Sequence, residues 1–319
     1  MKNILIIGGG AMGSAFAIPC VENRNKVTIT EPYNLNIINN LSKSKKIHPT
    51  LKIKLPKKIL FKKYSSNLLN KKYDLIVVAL SSEGINFIAK ELSNKKLKSS
   101  ILLLTKGLKY NKKKGKIFTL SEELLKYNKK INISVLKGPS LAGELSQKIN
   151  TEVLIANKNI NIAKDIGKMI STKYYKSEYS SDVIGVEVCS AIKNIYSMIL
   201  GACNGLNMKA YIFKKSIVEM AYVIKKLNGD PKTVYSLAGI GDLYVSAMGG
   251  RNSKMGSYLG KGLKYKFTKK KYMSNVTIEA EQLVKEIYPF ILKKFKKKHI
   301  PLMYNLIRSI IYNKKLQIN

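Results

Sequence analysis

Short apolar runs alternate with longer polar or amphipathic stretches over residues 1–181 of the chain. Runs of this length, bounded by glycine, proline or charged residues, are typical of buried strands, and the stretches between them are long enough for helices. Strands that alternate with helices in this way predict a parallel sheet covered by helices on both faces. The predicted strands are 3–7, 27–30, 75–80, 101–105, 131–136 and 153–156.

The strand pattern disappears from about residue 182 onward. Apolar residues there recur at helical spacing over long stretches, which are 182–201, 210–227, 278–294 and 302–312. The length of 319 residues also suits two domains of about 150 residues each. We therefore expect an α/β domain at 1–181 and an all-helical domain at 182–319.

A glycine-rich turn directly follows the first predicted strand. Gly8, Gly10 and Gly13 satisfy the pattern G-x-G-x-x-G, and a predicted helix at 14–21 comes next. The first glycine permits a tight turn, the second lets a pyrophosphate approach the backbone, and the third lets the helix pack closely on the strand. The phosphates would lie at the positive end of that helix. This context predicts a Rossmann-type, doubly wound sheet that binds a dinucleotide, with an ordinary strand-to-helix turn as the alternative.

Glu31 ends the second predicted strand, 18 residues after Gly13. A carboxylate at this position can accept hydrogen bonds from both hydroxyls of an adenosine ribose. It would repel a phosphorylated ribose, and Pro32 supplies no compensating cation. The sequence thus predicts a preference for NAD over NADP, with a surface glutamate as the alternative.

Two more motifs of the first half follow predicted strands. Lys106, in the run Thr-Lys-Gly-Leu, comes after a buried strand and would stand at the carboxyl edge of the sheet, where ligands of open α/β folds bind. Ser140 follows Gly138 and Pro139 near the start of a predicted helix. It is a candidate ligand contact or, alternatively, an ordinary helix N-cap.

Lys193 and Asn194 interrupt an otherwise apolar helix in the second half. Burial or a neighbouring cation lowers the pKa of a lysine, and proton transfer near neutral pH requires such a lowered value. The chain has only two histidines, His48 and His299, and neither lies in a motif, so a histidine base is not expected. The alternative for Lys193 is a half-buried side chain whose amine reaches solvent.

A pair of glycine-rich turns surrounds Asp242 and Arg251. An arginine on a loop can hold a phosphate with two parallel hydrogen bonds, whereas a lysine offers only a point charge. Arg251 is therefore the best single candidate for a phosphate contact.

The formal net charge of +39 suggests binding to phosphate backbones. However, only three of the 58 basic residues are arginine, and the lysines are scattered along the whole chain with abundant Ile, Asn and Tyr. This profile resembles AT-rich coding bias, so we expect solvated lysines and no specific nucleic-acid partner. Binding to nucleic acid or an acidic membrane surface remains the alternative from another functional class.

The three cysteines have no metal-ligand spacing, which predicts reduced thiols and no metal site. No apolar run approaches the ~18 residues of a membrane span, and the N-terminus lacks a signal-peptide layout. We expect a soluble, cytoplasmic protein without membrane insertion.

Six motifs, taken in order, resemble those of the bacterial NAD(P)-dependent glycerol-3-phosphate dehydrogenases. Their order and spacing agree over nearly the full length of the chain. The resemblance implies interconversion of dihydroxyacetone phosphate and sn-glycerol 3-phosphate for phospholipid synthesis with NAD or NADP, of which Glu31 favours NAD, and a homodimer is the usual assembly of such enzymes. The motifs are Gly8-x-Gly10-x-x-Gly13, Thr105-Lys106-Gly107-Leu108, Gly138-Pro139-Ser140-x-Ala142, Ile192-Lys193-Asn194, Gly241-Asp242-Leu243 and Arg251-Asn252.

The same resemblance implies a role for each motif residue. Lys193 would be the proton acceptor and a substrate contact, and Lys106 would lie between substrate and cofactor. Arg251 and Asn252 would reach the substrate phosphate, with Arg251 also close to the cofactor, and Asp242 would orient Lys193 or a substrate hydroxyl. The other implied contacts are Gly138 and Ser140 with the substrate, and Gly8, Gly10, Ala11, Met12, Gly13, Glu31, Ala142, Thr277 and Glu279 with the cofactor.

The chain departs from the family pattern at several positions. Ala11-Met12 stands where many members have Ser-Trp or Ser-Tyr, Pro32 where many have arginine, Gly250 where serine is common, and Ala280 where glycine is usual. None of these changes removes a residue that the chemistry requires. The rival within the same architecture is a reductase of a 2-keto or 3-hydroxy acid, such as a ketopantoate reductase, whose substrate carries a carboxylate instead of a phosphate.

Overall fold

The computed structural model describes residues 1–42, 47–93 and 95–318. The chain forms two compact units. The first comprises Met1–Lys106 and Leu120–Val183, and the second comprises Gly107–Thr119 and Ile184–Asn319. The segment 107–119, which we expected in the α/β domain, belongs instead to the helical unit, because its two short strands pack on a helix of that unit.

Ten strands lie in the described part of the chain. They are β1 (Asn3–Ile7), β2 (Lys26–Glu31), β3 (Leu60–Lys63), β4 (Leu75–Val78), β5 (Ser100–Leu103), β6 (Leu108–Asn111), β7 (Lys116–Thr119), β8 (Asn132–Lys137), β9 (Thr151–Ala156) and β10 (Tyr175–Ser180).

Thirteen α-helices lie in the same described ranges. They are α1 (Ala11–Glu22), α2 (Leu35–Ser42), α3 (Ile85–Leu92), α4 (Leu120–Tyr127), α5 (Ala142–Ser146), α6 (Ile160–Ile170), α7 (Val183–Gly201), α8 (Leu206–Lys226), α9 (Asp242–Ala247), α10 (Gly250–Gly260), α11 (Tyr265–Tyr272), α12 (Glu279–Lys294) and α13 (Pro301–Tyr312).

The first unit is built on an eight-stranded sheet with the order β10-β9-β8-β5-β4-β1-β2-β3. From β3 to β8 the strands are parallel and follow the doubly wound Rossmann order. The prediction of a Rossmann-type fold is confirmed. One pair departs from the predicted parallel arrangement: β9 runs antiparallel to β8, after a connection whose only α-helix, α5, has five residues.

The central strands carry the core of this unit. The side chains of β1 and β4 are almost entirely apolar and buried, as expected for strands covered on both faces. Register places the carboxyl ends of β1, β2 and β4 together, since Ile7 pairs with both Thr30 and Val78. The backbone N–H of Gly8 then donates to the carbonyl of Thr30 at 2.8 Å. The glycine turn therefore emerges at the carboxyl edge of the sheet.

The second unit packs its helices around α7. That helix has the length and apolar character of a membrane span, the one such helix among the described residues, but 89% of its apolar window is buried inside the fold. The β6–β7 hairpin contacts α12, where the N–H of Tyr110 donates to Glu286 at 2.8 Å. The helical character predicted for this half is confirmed.

A buried carboxylate joins three helices of the second unit. Glu219 of α8 accepts hydrogen bonds from the backbone N–H groups of Leu302 at 2.7 Å and Met303 at 3.1 Å. These groups belong to the first turn of α13, whose N-terminal donors lack helical partners. The hydroxyl of Tyr196, on α7, donates to the same carboxylate at 3.2 Å. Burial raises the pKa of Glu219 from its ordinary value of 4.5 to about 7.

Candidate active site

The glycine turn between β1 and α1 is shaped by close backbone approaches. Gly8 has φ +123°, and a Cβ at this position would lie 2.4 Å from the carbonyl oxygen of Ala79. A Cβ on Gly13 would lie 2.0 Å from the carbonyl oxygen of Gly8. Both positions therefore require glycine. Around Gly10, by contrast, a Cβ would meet no described atom within 4 Å, so the second glycine faces open space.

That open space lies at the N-terminus of α1. The N-cap is Gly10, which offers no side chain to the helix, and the first turn contains no acidic residue. The first helical hydrogen bond runs from the N–H of Ser14 to the carbonyl of Gly10 at 3.0 Å, so the N–H groups of Ala11, Met12 and Gly13 precede the helical bonding pattern. An open cradle with backbone donors and a positive helix end fits a pyrophosphate.

Glu31 lies beside this cradle and is almost fully buried, with 6% of its surface exposed. One carboxylate oxygen accepts from the N–H of Gly9 at 2.8 Å, and the other accepts from the N–H groups of Tyr33 at 2.9 Å and Asn34 at 3.4 Å. The side chain predicted to contact a ribose is thus also tied to the turn itself. A carboxylate has about four acceptor sites, which leaves capacity for a ribose hydroxyl.

Lys106 and Gly138 follow two neighbouring parallel strands, β5 and β8, and so lie at the same edge of the sheet. The buried Lys137 ties these strand ends together, since its amine donates to the carbonyls of Leu103 at 3.1 Å and Thr105 at 2.6 Å. Sequence reasoning missed Lys137 because a lysine at a strand end is usually solvated, and this chain is full of lysines.

Ser140 and Ala142 lie where β8 leads into α5. The N-cap of α5 is Leu141, so the structure does not support the alternative that Ser140 caps this helix. Ala142 is the first residue of α5, which packs against α1.

In the second unit, Lys193 on α7 is buried, with 6% of its surface exposed. Its amine donates to the carboxylate of Asp242 at 2.8 Å and to the hydroxyl of Ser246. The alternative of an amine that reaches solvent is therefore not observed. Asp242 begins α9 directly after a π-helical turn at Leu237–Gly241, a feature often found at functional sites.

Ser246 is a site residue that sequence reasoning missed. It lies four residues after Asp242 on the same helix, and this spacing puts both side chains on one helical face. That spacing was the available signal, but serine is common enough that the pattern alone is weak. Asp242 and Ser246 therefore contact the Lys193 amine from the same face of α9, and these two contacts restrict the direction in which the amine points.

A second group of polar side chains links α7, α10 and α12. The carboxamide of Asn252 donates to the side-chain oxygen of Asn194 at 3.1 Å and to Glu279 at 3.3 Å, and its own oxygen accepts from the N–H of Ala280 at 3.1 Å. Because a backbone N–H can only donate, this last bond sets the orientation of the Asn252 amide. The Asn194 oxygen is then an acceptor within the protein.

Arg251 precedes Asn252 and pairs with Glu279 through its guanidinium. The Arg251 side chain is 54% exposed, so its charge remains accessible at the surface of α10. Thr277, two residues before Glu279, is exposed just ahead of α12. The structure therefore brings Arg251, Asn252 and Glu279 into one cluster with Asn194, next in the chain to Lys193.

The predicted site residues thus fall into two groups, one in each unit. The first unit holds Gly8, Gly10, Ala11, Met12, Gly13, Glu31, Lys106, Gly138, Ser140 and Ala142, and the second holds Lys193, Asp242, Arg251, Asn252, Thr277 and Glu279. Within the described residues, no group of three or more His, Cys, Asp or Glu side chains is arranged to hold a metal ion.

Two family models match the chain. The model for the N-terminus of NAD-dependent glycerol-3-phosphate dehydrogenase matches residues 3–163, and the model for its C-terminus matches residues 182–318. The chain belongs to this family. The matched ranges contain all six motifs that carried the resemblance.

Named members of the glycerol-3-phosphate dehydrogenase family are similar over most of their length. An NADP(+)-dependent glycerol-3-phosphate dehydrogenase of Archaeoglobus fulgidus is 30% identical over 274 residues, which cover 82% of this chain and 80% of the relative. A glycerol-3-phosphate dehydrogenase of Clostridium botulinum, named for use of NAD(P)+, is 31% identical over 275 residues, with the same coverage.

Solved structures support the fold. A crystal structure of glycerol-3-phosphate dehydrogenase from Coxiella burnetii superposes with a TM-score of 0.85 at 22% identity, over 99% of this chain and 96% of the other. A D-mandelate dehydrogenase gives a TM-score of only 0.57 at 14% identity, over 97% of both chains. The fold is therefore nearer to the glycerol-3-phosphate dehydrogenase than to this hydroxy-acid dehydrogenase.

Proposed function

We propose that the chain is an NAD(P)-dependent sn-glycerol-3-phosphate dehydrogenase that interconverts dihydroxyacetone phosphate and sn-glycerol 3-phosphate. The observation that carries the proposal is the buried Lys193, held by Asp242 and Ser246 in a chain that belongs to this family. A buried ammonium paired with a carboxylate can give a proton to an oxygen that is becoming negative, which carbonyl reduction requires.

The proton chemistry is assigned to Lys193. When bound, the nicotinamide cofactor supplies or accepts the hydride. In the direction of reduction, the Lys193 amine gives its proton to the C2 oxygen of dihydroxyacetone phosphate, and in oxidation it takes the proton back from the hydroxyl. Asp242 balances the buried positive charge and, with Ser246, fixes the direction of the amine. Lys106 is proposed as the second lysine of the site, adding positive potential near the substrate.

The phosphate of the substrate is assigned to Arg251. Its guanidinium is exposed and offers a planar pair of donors that matches phosphate oxygens. Glu279 holds this guanidinium through an ion pair, and Asn252 links Glu279 to Asn194. Gly138 and Ser140 are the further substrate contacts, and Thr277 and Ala142 the further cofactor contacts, that we propose on the family pattern.

The cofactor is assigned to the glycine turn, whose open cradle fits a pyrophosphate at Gly10, Ala11, Met12 and Gly13. Glu31 lies beside that cradle, where a carboxylate favours an unphosphorylated ribose. We therefore propose a preference for NAD, with NADP accepted more weakly. The Archaeoglobus relative is named as NADP(+)-dependent, and comparing kcat/KM for NADH and NADPH tests the preference proposed for this chain.

The decisive experiment is an absorbance assay of NADH and NADPH oxidation with the purified protein. Dihydroxyacetone phosphate should be reduced, and NADH should give a higher kcat/KM than NADPH. Turnover of 2-keto acids such as ketopantoate with no turnover of dihydroxyacetone phosphate would contradict the proposal and favour the rival reductase. We further propose a cytoplasmic enzyme of phospholipid precursor synthesis that assembles as a homodimer, which light scattering after gel filtration would test.

A further inference from the structure

His48 is a fully buried side chain that no part of the proposed chemistry uses. It lies 39 residues after Gly9 in the sequence, yet its Nε2 atom is 3.1 Å from the carbonyl oxygen of Gly9, in the middle of the glycine turn. A buried imidazole that contacts the backbone of a ligand cradle is either a packing residue or a residue that sets the shape of the cradle.

The protonation of the His48 ring follows from its other nitrogen. Nδ1 lies 3.2 Å from the backbone nitrogen of Thr50 and 3.1 Å from that of Leu51. Both of these groups can only donate, so Nδ1 must be an unprotonated acceptor, and the single proton of the neutral ring is on Nε2. The contact with Gly9 is therefore a hydrogen bond that Nε2 donates to the carbonyl.

The loop that carries His48 is itself held by backbone hydrogen bonds. The N–H of His48 donates to the carbonyl of Ile53, and the N–H of Lys52 donates to the carbonyl of His48, both at 2.9 Å. Together with the bonds to Nδ1, these contacts fix the imidazole to a small turn over residues 48–53. The donor that reaches Gly9 is thus held in place by its own loop.

The peptide groups around Gly9 are held from several sides. The N–H of Gly9 donates to Glu31 at 2.8 Å, and its carbonyl accepts from the Ser14 hydroxyl at 3.0 Å as well as from His48. In a trans peptide the C=O and the following N–H point in opposite directions. Fixing the carbonyl of Gly9 therefore also fixes the direction of the Gly10 N–H. This restraint matters because glycine is conformationally free, and a mobile turn loses entropy when it binds a ligand.

We propose that His48 is a positioning residue for the dinucleotide, which fixes the Gly9–Gly10 peptide so that the backbone donors of the glycine turn are preorganised for the cofactor phosphates. The inference rests on the proposed function, because it requires that the turn binds NADH. It predicts an effect on cofactor affinity and none on the proton transfer assigned to Lys193.

Two substitutions of His48 separate the role of Nδ1 from the role of Nε2. In His48→Asn, the side-chain oxygen can replace Nδ1 as acceptor for Thr50 and Leu51, but no donor reaches Gly9. In His48→Gln, the longer amide can place a donor near the position of Nε2. His299→Asn is the matched control, since His299 stacks on Tyr222 in the helical unit with ring centroids 4.8 Å apart.

The measurements are the Kd for NADH by fluorescence titration, the melting temperature, and kcat and KM for both substrates. For His48→Asn we expect the Kd and KM for NADH to rise roughly three- to tenfold, which is the size of one net hydrogen bond. The kcat at saturating NADH and the KM for dihydroxyacetone phosphate should stay unchanged, as expected for a loss of uniform binding. His48→Gln should recover most of the affinity, and His299→Asn should bind NADH like the wild type.

Three results would overturn the inference. The first is a folded His48→Asn variant with wild-type affinity for NADH. The second is an equal loss in His48→Asn and His48→Gln together with a raised KM for dihydroxyacetone phosphate, which would indicate general structural damage. The third applies if His48→Asn does not fold. A folded His48→Gln variant whose Kd for NADH rises more than threefold would then contradict the role assigned to the Nε2 donor. A wild-type protein that binds no NADH would instead refute the proposed function.

Discussion

The glycine turn and the Lys193 cluster are built in different ways. The turn is formed by residues close in sequence, and its working groups are backbone N–H groups and a helix end that carry no net charge. The Lys193 cluster draws side chains from α7 and α9, with Lys193 and Asp242 separated by 49 residues, and its working groups are ions buried together. One region depends on shape, and the other depends on paired charges.

This difference teaches what each region tolerates. In the turn, a single methyl group at Gly8 or Gly13 would collide with backbone atoms. In the cluster, the loss of one ion takes a charged partner away from the other buried ion, which is costly. Substitutions in the turn should therefore change binding, and substitutions in the cluster should change catalysis.

The largest expected effect is that of Lys193→Ala. Removal of a general acid typically costs 10²–10⁴-fold in rate, so kcat should fall by about three orders of magnitude while the Kd for NADH stays within about twofold. The measurement is kcat by NADH absorbance together with Kd by fluorescence. Lys225→Ala, an exposed lysine of α8, is the matched control and should keep full activity.

Lys193→Ala also leaves Asp242 as a buried carboxylate without its ammonium partner, so stability must be measured alongside activity. The double variant Lys193→Ala/Asp242→Asn removes both charges and should recover part of the melting temperature without recovering kcat. A Lys193→Ala variant that binds cofactor and turns over near the wild-type rate would contradict the assignment of catalysis to the Lys193 cluster and of binding to the glycine turn.

The next effect in size is that of Arg251→Lys. A lysine keeps the charge but loses the two parallel donors, and the loss of a charged hydrogen bond is worth about 1.5–3 kcal/mol. We expect the KM for dihydroxyacetone phosphate to rise roughly 10- to 100-fold, as measured by steady-state kinetics at saturating NADH. Arg308→Lys, on α13, should leave this KM unchanged, and an equal effect of both substitutions would contradict a specific phosphate contact at Arg251.

A smaller effect is expected at Glu31, which belongs to the binding region. Glu31→Gln removes the negative charge beside the ribose position while it keeps one oxygen for the backbone donors of the turn. The ratio of kcat/KM for NADPH to that for NADH should rise roughly fivefold, because a 2′-phosphate no longer meets a carboxylate. Asp165→Asn, an exposed change on α6 of the same unit, should not alter the ratio. An unchanged ratio in Glu31→Gln would mean that Glu31 acts only on the turn.

The two regions also differ in how far the sequence could predict them. The glycine turn was predictable because its three motif glycines lie within six residues of one another, directly after an apolar strand and before a helix. The pairing of Lys193 with Asp242 was expected only through the family resemblance, and Ser246 was not expected at all, since contacts between distant helices leave no local pattern. His48 lies outside every motif, and its role depends on a loop that returns to the turn.

The strands show the same limit. The buried strands of the sheet centre, such as β1 and β4, were predicted because continuous apolar runs mark them. β3 and β10 were missed because both lie at sheet edges and carry many polar or half-exposed residues. The β6–β7 hairpin was missed for a similar reason, as its lysine-rich sequence lacks a clean alternation. The antiparallel direction of β9 relative to β8 depends on how the strands pair, and the spacing of apolar residues along the chain does not predict strand pairing.

The last expected effect concerns stability instead of activity, and it has opposite signs in the two units. Burial lowers the pKa of His48 from its ordinary value of 6.5, so folding favours the neutral ring. The stability that depends on neutral His48 is present above pH 6.5 and is lost as the pH falls through the lowered folded value. In thermal melts, the stability of wild type relative to His48→Gln should therefore fall as the pH drops below 6.5, and an unchanged difference across this range would mean that His48 titrates alike in the folded and unfolded chain.

Glu219, on the helix packed against Tyr196 of α7, follows the reverse rule. Its pKa is raised from 4.5 to about 7, mainly by burial, so folding favours the protonated form. This contribution is fully present below pH 4.5 and is lost as the pH rises through about 7, a change of about 3 kcal/mol or several degrees in melting temperature. Melts from pH 5 to 8 should show wild type losing stability relative to Glu219→Gln as the pH rises. Parallel curves for the two proteins would mean that Glu219 titrates at its ordinary value. Burial of the Glu219 carboxylate would then carry no free-energy cost, and in this respect the helical unit would not differ from the glycine turn, whose working groups are uncharged.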